Sequence, residues 1–425
     1  MNTLTKQESS DNVFLSVFAC ALPIFVFASK VSADAIFSLS SLVFLFFIFK
    51  TKNYSWLKWP WVRAVFVFIL FCMATAIFTP YPKEAFTQAL IYIRWPLTAM
   101  ALVVAVFNSS KRLYLFEKTV FIFLSFLVLD GLFQFFMGFD VFGRPLVDNN
   151  LRMTGPFSKP FIGVYSFKMF FFAFLLVYMM VKKTDLNIIA LSLLVLFFNV
   201  FLLMTGERII FLLSILFFII WLASVCISYQ ALRKKMIPLA VAAFSILSMV
   251  IAFNHEIFIR RVMPFVEAIK NFTNTTYGDI FHSAFQLWQL SPVVGIGTRM
   301  YNKVCVSALG YTEDELLYQT VEGVCVRHPH NIYLEVLSQN GLLGLMLFLV
   351  VLFFIFKELL SKPLWQKDFL MMVILTSSVF VIFWPLATSM SIFSNNYAGV
   401  VWLTIAWAIA RARNAQQDVL AEGKV

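Results

Sequence analysis

FLLSILFFIIWLASVC, residues Phe211 to Cys226, carries no charged residue. As a helix rising about 1.5 Å per residue it nearly crosses the roughly 30 Å hydrocarbon layer of a bilayer. VFLSVFACALPIFVFA from Val13 and WVRAVFVFILFCMATAIF from Trp61 read the same way. Similar runs recur to the C-terminus, so a signal peptide does not account for them. Over all 425 residues, 61% are hydrophobic and 13% charged, with a mean hydropathy of +0.86. A soluble domain is about one-quarter charged, so this composition excludes one. The expected fold class is an all-α polytopic membrane protein.

The apolar runs place spans at about residues 11–28, 34–50, 61–79, 88–107, 115–138, 161–180, 186–204, 209–228, 236–253, 331–356, 368–387 and 393–410, about twelve transmembrane helices. Pro96 and Gly131 are expected to tilt or break the fourth and fifth. In this arrangement Lys50, Lys52, Lys58, Arg63, Lys111, Arg112, Lys182, Lys183, Arg233, Lys234, Lys235, Lys357, Lys362, Lys367, Arg411 and Arg413 share one side. The positive-inside rule makes that side cytoplasmic and puts both termini there. It also accounts for most of the net charge of +11 without invoking nucleic acid. The chain then divides into an N-terminal membrane bundle of about nine spans (1–253), a large, partly helical periplasmic loop (254–330), and a C-terminal segment of about three spans with a cytoplasmic tail (331–425).

Two connections on the external side are long. One is GFDVFGRPLVDNNLRMTGPFSKP, between the fifth and sixth spans. The other is the loop from Asn254 to His330. Within the latter, HEIFIRRVMPFVEAIKNF and DIFHSAFQLWQL carry apolar residues at helical spacing, and VVGIGT reads as a turn-rich connector. All four histidines, His255, His282, His328 and His330, fall in this loop. Their spacing supplies no metal-ligand array. Cys305 and Cys325, facing an oxidising compartment, are expected to form a disulfide. Cys20, Cys72 and Cys226 sit in apolar spans as small core residues.

Two polar clusters stand at the expected outer surface. RHPHNIYLEVLSQNGLLG, Arg327 to Gly344, feeds Arg327, His328, His330 and Asn331 into the mouth of the tenth span. Pro329 suits the start of that helix, and Gly341 and Gly344 permit close helix contact. A polar helix start with packing glycines is the structural alternative. TGERIIF, Thr205 to Phe211, is a tight turn that holds Arg208 at membrane depth, where arginine needs an anion. Glu207 is one partner; a phosphate in the headgroup layer is the other, suited to a bidentate guanidinium. Arg144, Arg152, Arg260, Arg261, Arg299 and Arg327 add external arginines against the positive-inside bias, for which an anionic, lipid-borne substrate is one reason and ordinary headgroup contacts the plainer one. For Arg144 and Arg261 headgroup contact suffices; Arg152, and Arg94 in the fourth span, are intermediate cases.

His330, Asn331, nine residues, Gly341, two residues, Gly344 resembles the signature of the bacterial O-antigen ligases, within a superfamily shared with O-antigen and related polysaccharide polymerases. PVVGIGTRMY upstream extends the resemblance. It implies a membrane glycosyltransferase of the GT-C type. The implied donor is a glycan on undecaprenyl pyrophosphate at the periplasmic face of the inner membrane. A ligase passes that glycan to a sugar hydroxyl of lipid A-core; a polymerase passes it to another lipid-linked repeat unit. Bilayer lipids are the remaining partners, and no cofactor is implied. The resemblance makes His330 the residue that activates the acceptor hydroxyl and Arg208 the group that stabilises the leaving pyrophosphate. Arg152 and Arg299 are auxiliaries, Asn331 holds His330 or a sugar hydroxyl, and His328 and Arg327 are further substrate-binding candidates, the match selecting His330 over His328 as the base. Family members commonly carry a further arginine on the helix ahead of the glycine-rich turn. Here that helix offers only His282, leaving the role to His282, Arg260 or Arg261. A transporter predicts charged or broken helices at mid-membrane, and a scaffold leaves the external His and Arg cluster unexplained.

Overall fold

The computed structural model describes residues 13–28, 30–147, 152–253, 263–309, 325–387 and 389–421. Among them there is no strand, only two isolated bridges, Phe139 with Pro145 and Val147 with Arg152. The first half of the chain forms α1 (Val13–Ala28), α2 (Lys30–Thr51), α3 (Pro60–Thr75), α4 (Pro82–Tyr92), α5 (Arg94–Ala101), α6 (Ser110–Met137), α7 (Ile162–Met180), α8 (Asp185–Thr205), α9 (Arg208–Ser228) and α10 (Arg233–Phe253). Three shorter helices follow, α11 (Met263–Lys270), α12 (Thr276–Leu290) and α13 (Tyr301–Leu309), then α14 (Ile332–Leu359), α15 (Lys362–Lys367), α16 (Phe369–Phe380) and α17 (Asn395–Ala421). Helices dominate because hydrocarbon offers no partner to an unpaired backbone N–H or C=O, and a helix satisfies both internally.

Eight helical stretches among the described residues are long and apolar enough to cross a bilayer, and Val13–Phe27 and Phe369–Phe380 are shorter apolar helices. The chain is therefore an all-helical, multi-pass membrane protein. α17 falls short of that apolar standard for a physical reason: it is buried without interruption from Tyr397 to Ala412, so protein rather than lipid surrounds it. Small residues let its neighbours approach closely, as where Gly399 meets the rings of Phe37 and Trp95. The expected break in the fourth span is present, as α4 and α5 are separate helices followed by a π-turn at Leu102–Val106. Gly131 does not interrupt α6; it lies where an added Cβ would strike Ile162, Met153 and Phe201. Aromatic rings fill the α7–α8–α9 interface, with Phe170 stacked on Phe198 at 4.3 Å and Phe174 edge-on to Trp221 at 5.0 Å.

Basic residues gather at one end of the bundle. Arg413 pairs with Glu358 at 2.7 Å and covers the Trp59 ring, and Lys367 donates to Ala415 O. Arg411 and Trp407 both donate to the fully buried Glu117.

At the opposite end, a glycine-dependent joint fixes the loop to α14. Gly341 has φ 67°, which breaks α14 and exposes its backbone. The turn Pro292–Gly297 fills the break: Leu342 N donates to Pro292 O, Leu343 N to Val293 O, Ile296 N to Ser338 O and Gly297 N to Gln339 O, at 2.9 to 3.2 Å. A Cβ on Gly341 would lie 2.3 Å from Val293, and one on Gly295 2.3 Å from Gln339. Gly341 thus meets a loop rather than a helix, while Gly344 lies close to Phe71 of α3.

Candidate active site

The HPHN segment is held by the chain on both sides of it. α14 begins at Ile332, after Pro329, and Asn331 caps it: Asn331 Oδ1 accepts from Tyr333 N at 3.0 Å and Leu334 N at 3.1 Å. Asn331 Nδ2 donates to Pro385 O at 2.7 Å, and the Tyr333 hydroxyl to Phe383 O at 2.6 Å. Ser389 N donates to His330 O at 2.7 Å, and Ile392 N to the buried Glu335 carboxylate at 3.0 Å. The connector between α16 and α17 is thereby strapped across the start of α14. Between these anchors His330 adopts φ 53°, a left-handed conformation in which a non-glycine residue needs such support.

The His330 ring lies 4.3 Å from that of His328 and 6.1 Å, edge-on, from Tyr277 of α12. Burial pushes the His330 pKa below the usual 6.5, partly opposed by the Ser389 main chain. Burial, with His330 beside it, pushes His328 down to about 4. Both imidazoles are therefore uncharged near neutrality, the form that accepts a proton.

Facing His330 is the α8–α9 turn. Gly206 closes α8 in the left-handed conformation at φ 83°, Glu207 caps α9, and Arg208 begins it. Met153 N donates to Thr205 O at 3.2 Å and so docks the Arg152 segment on this turn. Arg152 then forms an ion pair with Glu207.

His330, Arg152, Glu207 and Arg208 open on a single cavity of about 1170 Å³ bounded by α7, α9, α12, α16 and α17. Tyr277 also borders it, and Phe171, Leu213 and Leu216 give it an apolar interior. The amino end of α9, with Arg208, favours an anion there.

Other expected residues lie elsewhere. Arg299 has φ 64°; its N–H bonds Gln339 and its guanidinium donates to Gln88 at 2.9 Å, which ties the loop to α4 and α14 away from the cavity wall. His282 is exposed on α12, while the cavity-facing positions of that helix are Tyr277 and Phe281. Arg327 is exposed, and neither it, His328 nor Asn331 lines the cavity. Arg94 pairs with Asp34 at 2.7 Å. Arg260, Arg261 and His255 lie outside the described residues. Cys305 and Cys325 are joined in a disulfide, Cα to Cα 5.5 Å, and Asn302 Nδ2 donates to Cys325 O at 3.0 Å, so the chain entering HPHN is fastened to α13.

Two contributors escaped the sequence reading. The connector supplies Trp384, Pro385, Ser389 and Met390 to the cavity, and α7 supplies Lys168. A lysine inside the apolar run IGVYSFKMFFFAFLLVYMM was the available signal for the second. The connector's hold on HPHN has no signal of its own, because it acts through main-chain groups.

Residues 170–349 match the family model described as O-Antigen ligase, a stretch running from α7 through the α8–α9 turn and the HPHN segment into α14. A comparison with curated proteins gives no match. The family comprises membrane glycosyltransferase-like enzymes, both ligases and polymerases, that act on lipid-linked glycans. Residues 170–349, which hold His330 and Arg208, thus match the O-antigen ligase family.

Proposed function

We propose that this protein is an O-antigen ligase of the GT-C type, transferring a glycan from undecaprenyl pyrophosphate to a sugar hydroxyl of lipid A-core at the periplasmic face of the inner membrane. The observation that carries the reading is the convergence of an uncharged His330 with Arg208 and Arg152 on one cavity with an apolar interior. A lipid-borne pyrophosphate has these two halves, an anion and a hydrocarbon chain.

In the reaction, the acceptor hydroxyl attacks the anomeric carbon of the donor and its proton passes to the His330 imidazole. The bond from that carbon to the pyrophosphate oxygen breaks, and the electron pair leaves with the oxygen. Arg208 and the amino end of α9 stabilise the developing charge. Arg152, oriented by Glu207, adds a second guanidinium. Asn331 acts on His330 through the connector rather than on the sugar, since both its polar atoms are engaged with main chain. Arg299, His328, Arg327 and His282 serve the loop around the site. The basic end of the bundle supports a cytoplasmic placement for that end and for both termini, with twelve crossings, and the Cys305–Cys325 disulfide supports an oxidising compartment for the other.

The test uses purified protein in lipid with an undecaprenyl-pyrophosphate-linked glycan, with and without lipid A-core. Glycan appearing on lipid A-core is the expected result. Lengthening of the lipid-linked glycan without core would replace the ligase reading by a polymerase with the same site, and no transfer of either kind would overturn both.

A further inference from the structure

Lys168 stands in the second turn of α7, about 9 Å along the helix from its start at Ile162. Its side chain lines the cavity, and its ammonium lies 4.5 Å from the centroid of the Tyr397 ring. No carboxylate pairs with it among the described residues. Other interior cations are satisfied: Arg411 has Glu117, Arg413 has Glu358, Arg94 has Asp34, and Arg112 donates to the Val106 carbonyl and to Asn108. A cation within the hydrocarbon layer is costly and is found paired or lining a polar path. A ring quadrupole offsets only part of that cost. Meanwhile α12 presents Tyr277 and Phe281 to the cavity, so that wall brings no cation to an anion bound there.

We propose that Lys168 binds the pyrophosphate of the polyprenyl donor from the membrane side of the cavity that Arg208 and Arg152 also line, and that Tyr397 holds the ammonium in place until the phosphate takes it over. The proposal rests on the donor class assigned above. Lysine suits this place: three rotatable donors on a flexible stem follow a phosphate as the bond to the sugar breaks.

The experiment measures the rise in melting temperature of the purified protein on adding undecaprenyl pyrophosphate without any glycan, which needs no turnover. Wild type is expected to be stabilised, Lys168→Met to bind about tenfold or more weakly, as for one lost charge-assisted hydrogen bond, and Lys168→Arg to keep most of the shift. Undecaprenyl alcohol should stabilise wild type and Lys168→Met alike. A wild-type response with an undiminished Lys168→Met response overturns the role of Lys168 alone, as does a Lys168→Met deficit seen only with an acidic glycan attached. No wild-type response overturns the donor assignment itself. If Lys168→Met does not fold, Lys168→Gln replaces it, and Lys168→Arg losing the shift while folded counts against the proposal.

Discussion

At the basic end of the bundle, Arg411 is 6% exposed and donates to both oxygens of Glu117, with Trp407 on the same carboxylate. At the other end, Arg208 is exposed at the lip of a cavity, Lys168 lies over the Tyr397 ring, and His330 is held uncharged in a left-handed conformation. The first cluster is closed on itself. The second lines a cavity with its arginines, its lysine and its base. Identical residue types therefore separate into structure and function by whether protein encloses them or they border a cavity, and substitutions at the two ends should fail differently.

The largest effect is expected from His330→Ala. Transfer should fall about 10²- to 10⁴-fold, the span of general-base catalysis, with the melting temperature nearly unchanged. Arg208→Lys should follow it down, since the charge remains and the bidentate fork is lost. Glycan transfer at the wild-type rate by either variant would erase the contrast. At the closed end, Glu117→Gln strands Arg411 and should cost about 3–5 kcal/mol of stability, read by thermal unfolding in detergent, while the donor KM of the folded fraction stays put. A raised donor KM with unaltered stability would reverse the assignment of the two ends.

Gly341→Ala tests the joint that carries the loop. Its Cβ would press on Val293, and the backbone would keep φ 67° at a cost of about 1–3 kcal/mol. Faster hydrogen exchange confined to residues 292–300 and 338–343 is the expected signature, and an unchanged exchange pattern would count against the joint. The smallest effect concerns pH. Burial lowers the His330 pKa, so most of the folded protein holds this imidazole proton-free at neutral pH. Transfer should reach half its plateau rate only below pH 6.5, the ordinary histidine value. An inflection above 6.5 would mean that His330 is stabilised as the imidazolium instead.

Local patterns in the chain announce much of this arrangement. The apolar runs name the helices, because a bilayer demands continuous hydrophobicity over a set length. The TGER turn and HPHN are legible because each lies where an apolar run starts or stops, which puts polar residues at a surface. Arg299 reads the same way but is used elsewhere: its left-handed backbone and Gln88 turn it to a structural tie. Nor does spacing tell that Gly341 receives a loop instead of a helix, since both need the same missing Cβ. α17 is apolar enough to notice yet too polar to rank with the lipid-facing helices, because its surroundings are protein.

By itself the sequence determined that the chain lives in a membrane, that its basic ends lie together, and that His330 and Arg208 sit at helix mouths. These follow from hydrophobicity and charge, which act residue by residue. Only the tertiary structure decided that those two side chains share a cavity with Lys168, and that the α16–α17 connector holds His330 in place. Such relations join residues far apart in the chain through main-chain hydrogen bonds and helix packing, which no local pattern encodes.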